Sequence, residues 1–589
     1  MVDMDRRRLL KNLAKTAALT ACSPLLRGFG ESATAGSYPG ILTNQVGYLP
    51  RGAKMATLAL KPQVAADAAA VQKIEFSLID PATGKAVFTG RLGAPSSDEA
   101  SGDMVTQADF SVLQQPGKYV IAIGASRSDP VAIGPAVYAD ALRLTMRSYY
   151  GQRCACHVDL GGGYAHPACH LDGAYHASSG KKGKAPSHGG WHDAGDYGRY
   201  VVNSGITCGT LLWAWELYPR ALGKLSLNIP ESGGRTPDYL AEIRWNLEWM
   251  LSLQDDDGGV WHKQTSEQFC AFIMPQDDHL TSYVIGTGSA PYKSTGATAD
   301  LAAVMAIAAR CYGPYDDAFA KRCLAAAEAA FVWATQNPNV TFSNPHGVGT
   351  GGYGDGQLSD ELLWAAAELY RTTKKPAYEQ AFLSGFATLG PTPKIDAPGW
   401  GDVASMACWT YALTEGAKSK QTQEQVKQAT HAETQVLMER SRSNGYGNTM
   451  DLHSYGWGSN SVAANQSLLL LMANHFQPDP AAVDAALGNL HYLLGRNCHG
   501  VSWVTGVGVR PFQHPHHRPS AADGIAAPWP GLLSGGPNAH PADNVARTLP
   551  KMPPMRMWID DQGAYSMNEI AINWNAPLVF LLAAANDAA

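Results

Sequence analysis

Hydrophobic positions follow two different periods along the 589-residue chain. From about Tyr38 to Ile133 the period is two. Ile74, Phe76 and Leu78 alternate with polar residues before a Pro81-Ala82-Thr83-Gly84 turn, and Tyr119, Ile121 and Ile123 alternate after Gln115-Pro116-Gly117. Half-buried strands joined by short turns predict a small β-sandwich, assigned to residues 36–135. After about Pro135 the period becomes 3.6. Thr236 and Pro237 offer an N-cap and a first helical residue, and Leu240, Ile243, Leu247, Met250 and Leu251 then share one face. Similar helices are predicted over 137–152, 198–217, 298–312, 315–336, 359–373, 376–387, 402–415, 421–437, 460–475, 480–494 and 568–587. With 236–254 these make about twelve, or six hairpins, which closed on themselves predict an (α/α)6 barrel over residues 136–589. The period alone equally allows an open helical array. Long Gly-rich loops at 343–358 and 497–566 favour the barrel, whose connections build a cleft at one end.

Length agrees with more than one domain, because single cores stop growing well below this size. The chain is 45% hydrophobic and 16% charged with a net charge of -6, so it is globular and carries no basic footprint for nucleic acid. Fifteen Trp and twenty-four Tyr supply flat faces on which sugar rings can stack, although core packing claims most of them. The first 35 residues read as an address. Asp5-Arg6-Arg7-Arg8-Leu9-Leu10-Lys11 resembles a twin-arginine export signal, and Leu19-Thr20-Ala21-Cys22 resembles a lipobox that would lipidate Cys22. Export by the twin-arginine route is expected, to the periplasm, the outer membrane as a lipoprotein, or the medium. No later segment is apolar for long enough to span a membrane, and a monomer is expected. Apart from Cys22, nine Cys are not spaced as a disulfide scaffold; Cys208, Cys311, Cys323 and Cys408 lie in helical patterns and read as small core hydrophobes.

Three clusters carry chemistry. Gly189-Gly190-Trp191-His192-Asp193-Ala194-Gly195-Asp196-Tyr197 sets two carboxylates three apart in a Gly-flanked loop before an apolar helix, where the plain alternative is that Asp196 caps that helix. Near the C-terminus Trp558, Asp560, Tyr565, Glu569, Ala571 and Asn575 surround a Glu that opens the last apolar helix, where it would otherwise be a dipole partner. Between them, Val504-Thr505-Gly506-Val507-Gly508 precedes His514-Pro515-His516-His517-Arg518-Pro519, a density of His and Arg that is costly to bury without partners.

These clusters, in this order, resemble glycoside hydrolase family 9 over nearly the whole chain from about Tyr38. Ile41-Leu42-Thr43-Asn44-Gln45-Val46-Gly47-Tyr48-Leu49-Pro50 resembles the opening of the immunoglobulin-like module that precedes the catalytic domain in one branch of the family. The resemblance implies that module, an (α/α)6 catalytic barrel and an inverting β-1,4-glucanase, most simply an endoglucanase. By motif position, Asp196 would activate water, Asp193 would hold that water and support Asp196, and Glu569 would protonate the leaving oxygen. His516 and Arg518 would grip the sugar next to the cut. Inversion needs one carboxylic acid and one carboxylate, about 6.5–9.5 Å apart so that water fits between them. Tyr455-Gly456-Trp457-Gly458-Ser459-Asn460 also resembles a family loop, and Tyr455, Trp457, Trp261 and Tyr565 are candidate sugar contacts, with core packing equally open for the aromatics.

The resemblance also implies metals. Cys154, Cys169, His170 and His192 resemble the branch's structural zinc site, a closed Cys2His2 set, with Cys156, His157, His176 and His188 as nearby competitors and free or paired thiols as the alternative. Asp360 and Glu361, with Asp402, resemble a family calcium site to which Asp355 or the Ser359 carbonyl could add ligands; two acids at a helix start is the alternative. Within the family the rival activity is an exo-acting β-glucosidase or exo-β-glucosaminidase. A non-catalytic carbohydrate-binding protein would not need Asp193, Asp196 and Glu569 together, and a zinc hydrolase would need an open metal position. With no binding module after about Ala585, soluble glucans and cello-oligosaccharides are the expected substrates, ahead of crystalline cellulose.

Overall fold

The computed structural model describes residues 40–390 and 392–587; the export signal and the lipobox at Cys22 lie outside the described residues. Nine strands come first: β1 (Ile41–Leu42), β2 (Met55–Leu60), β3 (Glu75–Ile79), β4 (Ala86–Arg91), β5 (Ser96–Asp98), β6 (Asp103–Asp109), β7 (Gly117–Ile123), β8 (Ser126–Arg127) and β9 (Val131–Ile133). They form two sheets, ordered β1-β2-β6-β5 and β4-β3-β7-β8, with β9 on β7. Antiparallel pairs Phe76↔Ile123 and Leu78↔Ile121 turn Phe76, Leu78 and Ile121 into a core shared with Ile41, Tyr48, Phe110 and Val131. Ile74 departs from the predicted alternation, lying one residue before β3 and exposed.

All twelve predicted helices are present: α1 (Ala139–Gly151), α2 (Val201–Leu217), α3 (Asp238–Ser252), α4 (Thr295–Tyr312), α5 (Asp317–Gln336), α6 (Ser359–Thr373), α7 (Pro376–Phe386), α8 (Ala404–Leu413), α9 (Lys420–Ser443), α10 (Ser459–Phe476), α11 (Pro480–Leu493) and α12 (Ile572–Asp587). The even-numbered helices are buried almost all round, whereas α5, α7 and α9 each keep an exposed face. α2 packs on α4, α4 on α6 and α6 on α8; α9 bridges α8 and α10, and α10 meets α12, which returns to α2. That closed inner ring is an (α/α)6 barrel, and the open array is excluded. α3 begins one residue later than predicted. Pro237 occupies the N-cap with an extended ψ of 143°, which its fixed φ also permits, and Thr236 caps nothing. Asp238 instead takes the first turn, where its Oδ2 accepts the Leu227 N–H at 2.8 Å and ties the helix start to the preceding loop.

The module is joined to the barrel by polar contacts. Asn44 Nδ2 meets His491 Nδ1 at 3.0 Å, Gln45 Oε1 accepts the Val509 and Arg510 N–H groups, and Arg556 pairs with Asp103 at 2.6 Å.

Candidate active site

The loop 189–200 enters α2 through Tyr200 in an extended conformation, so the helix starts beyond Asp196, which is not its cap. Asp196 is buried, and its Oδ2 accepts the Gly198 N–H at 3.0 Å and the Tyr200 hydroxyl at 3.2 Å. Asp193, 1% exposed, accepts from Tyr353 Oη at 2.6 Å and from Asn203 Nδ2. Burial, and then the Asp196 charge, push Asp193 up to about 7 against those two donors.

Glu569 does not open the last helix. It follows the short helix Tyr565–Asn568 in an extended conformation, and α12 starts only at Ile572. Its backbone forms a parallel bridge with His516, and its carbonyl accepts the Gly535 N–H at 2.7 Å. A strand-like ledge holds it. The side chain is partly buried, and burial first, then the charges of Asp196 and Asp193, raise it well above the ordinary carboxylate range, with Arg518 opposing. The two carboxyl walls meet at Gly195, where a Cβ would lie 1.9 Å from the His516 carbonyl oxygen. Only glycine permits that approach.

His516 donates Nδ1–H to the Gln562 carbonyl at 2.7 Å, since a carbonyl can only accept, and burial lowers its pKa; its Nε2 is therefore a lone-pair acceptor. Arg518 is 5% exposed, and three of its N–H groups bond the Gly195 carbonyl at 2.7 Å and the Cys270 carbonyl at 3.1 and 3.2 Å, so it braces the loop. His517 also braces, through Gln152, whose Nε2 holds the His192 and Ala194 carbonyls.

Of the candidate platforms, Trp457 is 50% exposed, its ring 5.6 Å from Tyr565, which in turn lies 5.6 Å from His516. Phe272 meets the His516 ring at 4.9 Å, so a run of rings flanks Glu569. Tyr455 and Trp261 are buried and offer no face: Trp261 bonds the Ser179 carbonyl, and the ammonium groups of Lys181 and Lys293 stand over its ring. Both aromatics are absorbed by packing, the alternative left open from sequence.

The family profile described as "Glycosyl hydrolase family 9" matches residues 138–582, and that of a "Cellulase N-terminal ig-like domain" matches residues 37–128. The chain belongs to glycosyl hydrolase family 9. It is a glycoside hydrolase with an immunoglobulin-like module and an (α/α)6 barrel. Among its family 9 relatives, Endoglucanase D of Acetivibrio thermocellus is 35% identical over 552 residues, covering 92% of this chain and 83% of that protein. The structure of AaCel9A in complex with cellobiose-like isofagomine superposes with a TM-score of 0.84 at 35% identity, covering 93% of this chain and 100% of that one. A zinc-binding triple mutant of family 9 endoglucanase J30 gives 0.84 at 34% identity, covering 91% and 99%.

In this family 9 chain Cys154, Cys169, His170 and His192 bring their donor atoms within 4.8 Å of one another, and Cys156, His157, His176 and His188 fall outside the set. His170 Nδ1 is buried without a partner while its Nε2 meets Asp278 Oδ2 at 3.2 Å, so the carboxylate orients the ring and leaves Nδ1 for a metal. The donor set suits zinc. The acidic trio is not gathered in the same way. Asp402 is exposed and accepts the Ala404 N–H at the start of α8, whereas Asp360 and Glu361 are buried near Asp300 and Asp355. Both Glu361 oxygens, Asp360 Oδ1 and Asp355 Oδ2 are buried without partners. Glu361 is pushed up to about 11 by burial and by Asp300 and Asp360. Sequence reasoning missed Asp300 because it reads as one polar position in an apolar helix. It also missed Tyr353, whose signal was its place in Gly351-Gly352-Tyr353-Gly354 within a loop already marked as functional.

Proposed function

We propose that the chain is an inverting endo-β-1,4-glucanase acting on soluble β-glucans and cello-oligosaccharides. Glu569 carries the reading: it is a carboxylic acid kept protonated by burial and two neighbouring aspartates, opposite a carboxylate that receives only donors. Glu569 gives its proton to the leaving oxygen. Asp196 takes one from the attacking water, and Asp193, held by Tyr353 and Asn203, supports that water. His516 Nε2 accepts from a sugar hydroxyl beside the cut, and Trp457 and Tyr565 stack successive rings outward from it.

Zinc at Cys154, Cys169, His170 and His192 is structural, since four protein ligands close the site; it braces the loop through His192, next to Asp193. Calcium would be held by Asp355, Asp360 and Glu361, whose unpartnered oxygens suit a hard cation, with Asp300 as a further carboxylate beside them. Export by the twin-arginine route, with Cys22 as a lipid anchor, rests on the N-terminal motifs alone. Among the described residues no helix is long and apolar enough to cross a membrane.

The test is the stereochemistry of the first product. NMR during hydrolysis of cellohexaose should show the α-anomer; an initial β-anomer would make Asp196 a nucleophile and end the proposal. A rapid fall in the viscosity of carboxymethylcellulose separates endo cutting from release of single sugars.

A further inference from the structure

Lys263 is 0% exposed, and among the described residues no carboxylate lies within ion-pair distance of its Nζ. A buried cation without a counter-ion is costly, and a methionine of similar length would avoid the cost. What the ammonium does have is acceptors: the Gly351 carbonyl at 2.6 Å, Asn344 Oδ1 at 2.7 Å and Thr350 Oγ1 at 3.1 Å. With the Thr350 carbonyl at 3.4 Å, four acceptors from three residues surround its three N–H groups. All of them lie on the loop 344–353.

That loop controls both hydroxyls that reach the aspartate pair. Lys263 stands directly opposite Tyr200 in an antiparallel pairing, with its Nζ 5.6 Å from the Tyr200 ring. The Tyr200 hydroxyl donates to Asp196 and accepts the Gly351 N–H at 3.2 Å. Two residues on, Tyr353 donates to Asp193 from a backbone with φ of +46°, a conformation that a non-glycine residue keeps only when its surroundings impose it. The Lys263 ammonium supplies that constraint at Gly351.

We infer that Lys263 is a positioning residue: it staples the loop 344–353 in the register that presents Tyr200 to Asp196 and Tyr353 to Asp193, and so serves water attack and not proton donation. The inference rests on the base and acid roles proposed above. Burial pushes Lys263 down to about 7, with the Asp196 charge pulling the other way; the staple itself rests on the hydrogen bonds from Nζ to the loop.

The experiment compares Lys263→Met, Asp196→Asn and the wild type on cellohexaose and on dinitrophenyl cellobioside. For Lys263→Met, kcat should fall about 100-fold on both substrates with KM little changed, the scale of a displacement of roughly 1 Å in a reacting geometry. Azide should restore turnover of the dinitrophenyl substrate. As an anion it attacks without giving up a proton: the C–N bond forms as the C–O bond to dinitrophenolate breaks, yielding the α-glycosyl azide. In a Tyr200→Phe, Tyr353→Phe background, Lys263→Met should add little, because both routes to the aspartates are already cut. If Lys263→Met does not fold, the exposed Asn344→Ala, which removes one acceptor, should give the same pattern at smaller amplitude. A raised KM with unchanged kcat, a loss confined to cellohexaose, no azide response, or full additivity with the tyrosine changes overturns the inference. An active Asp196→Asn would instead overturn the base assignment, whatever Lys263→Met does.

Discussion

Replacing Glu569 with Gln keeps the shape of the side chain, and an amide oxygen can still face the Gly195 N–H, but the transferable proton is gone. No neighbour replaces it. His516 is held neutral with Nδ1 committed to Gln562, and the proposed mechanism assigns both aspartates to the attacking water. The whole contribution of general acid catalysis is therefore exposed, on the order of 100- to 10,000-fold, or about 3–5 kcal/mol of barrier. Cellohexaose, whose leaving group is a sugar alkoxide, should lie at the upper end. Dinitrophenyl cellobioside leaves without protonation and should lose less than about tenfold. Stability should move in the opposite direction. Unfolding lets Glu569 ionise at its ordinary value of 4.5, whereas the native state holds the proton until well above it, so folding is penalised increasingly as pH rises beyond 4.5. Gln carries no such penalty, and the melting temperature of Glu569→Gln should exceed that of the wild type at about pH 7 and converge with it below pH 4.5. Steady-state kinetics on the two substrates and calorimetry across pH read both effects. Equal losses on both substrates would place the proton donor elsewhere, and a lowered melting temperature at neutral pH would refute the electrostatic argument.

Metal analysis of protein purified without chelators should find about one zinc per chain, and Cys169→Ser should lose it and melt at a lower temperature while keeping the substrate profile; zinc-free wild type would refute the assignment. Added Ca²⁺ should raise the melting temperature of EDTA-stripped protein, and Glu361→Gln should abolish the response; an unchanged wild-type curve removes the site. Trp457→Ala should raise KM for cellohexaose about tenfold, roughly 1.4 kcal/mol, with kcat nearly unchanged, and an unchanged KM would place the sugar chain elsewhere.

The barrel was legible because its inner helices are mostly apolar, with few polar positions such as Asp300, and polar and Gly-rich sequence marks the connections. The sandwich was legible through Phe76, Leu78 and Ile121. What local periodicity could not carry was long-range. Glu569 read as a helix opener because α12 is so apolar, yet a bridge to His516 and a bond from Gly535 hold it extended, and both partners come from distant segments of the chain. Tyr455 and Trp261 had the residue type of a sugar platform, but which face of an aromatic meets protein depends on neighbours such as Ser179 and Lys293, which only the fold brings to Trp261.

The loop 189–200 shows the same limit from the other side. Its motif marked the aspartates, and Gly198 and Tyr200 pair with them inside the loop, but many of its other partners come from elsewhere. Gln152 holds the His192 and Ala194 carbonyls, Arg518 holds Gly195, Tyr353 and Asn203 hold Asp193, and the Ile572 N–H takes the Asp193 carbonyl at 2.8 Å. A buried loop must pair its polar backbone with something, and here each of these partners comes from a different segment of the chain. A motif search therefore finds the aspartates and cannot find what aims them. Tyr353 becomes informative only once folding has set it beside Asp193, and the motif that marked Arg518 did not point to its bond with Gly195. For the same reason, substitutions at these remote partners should alter catalysis through the loop, in proportion to how directly each one bonds it.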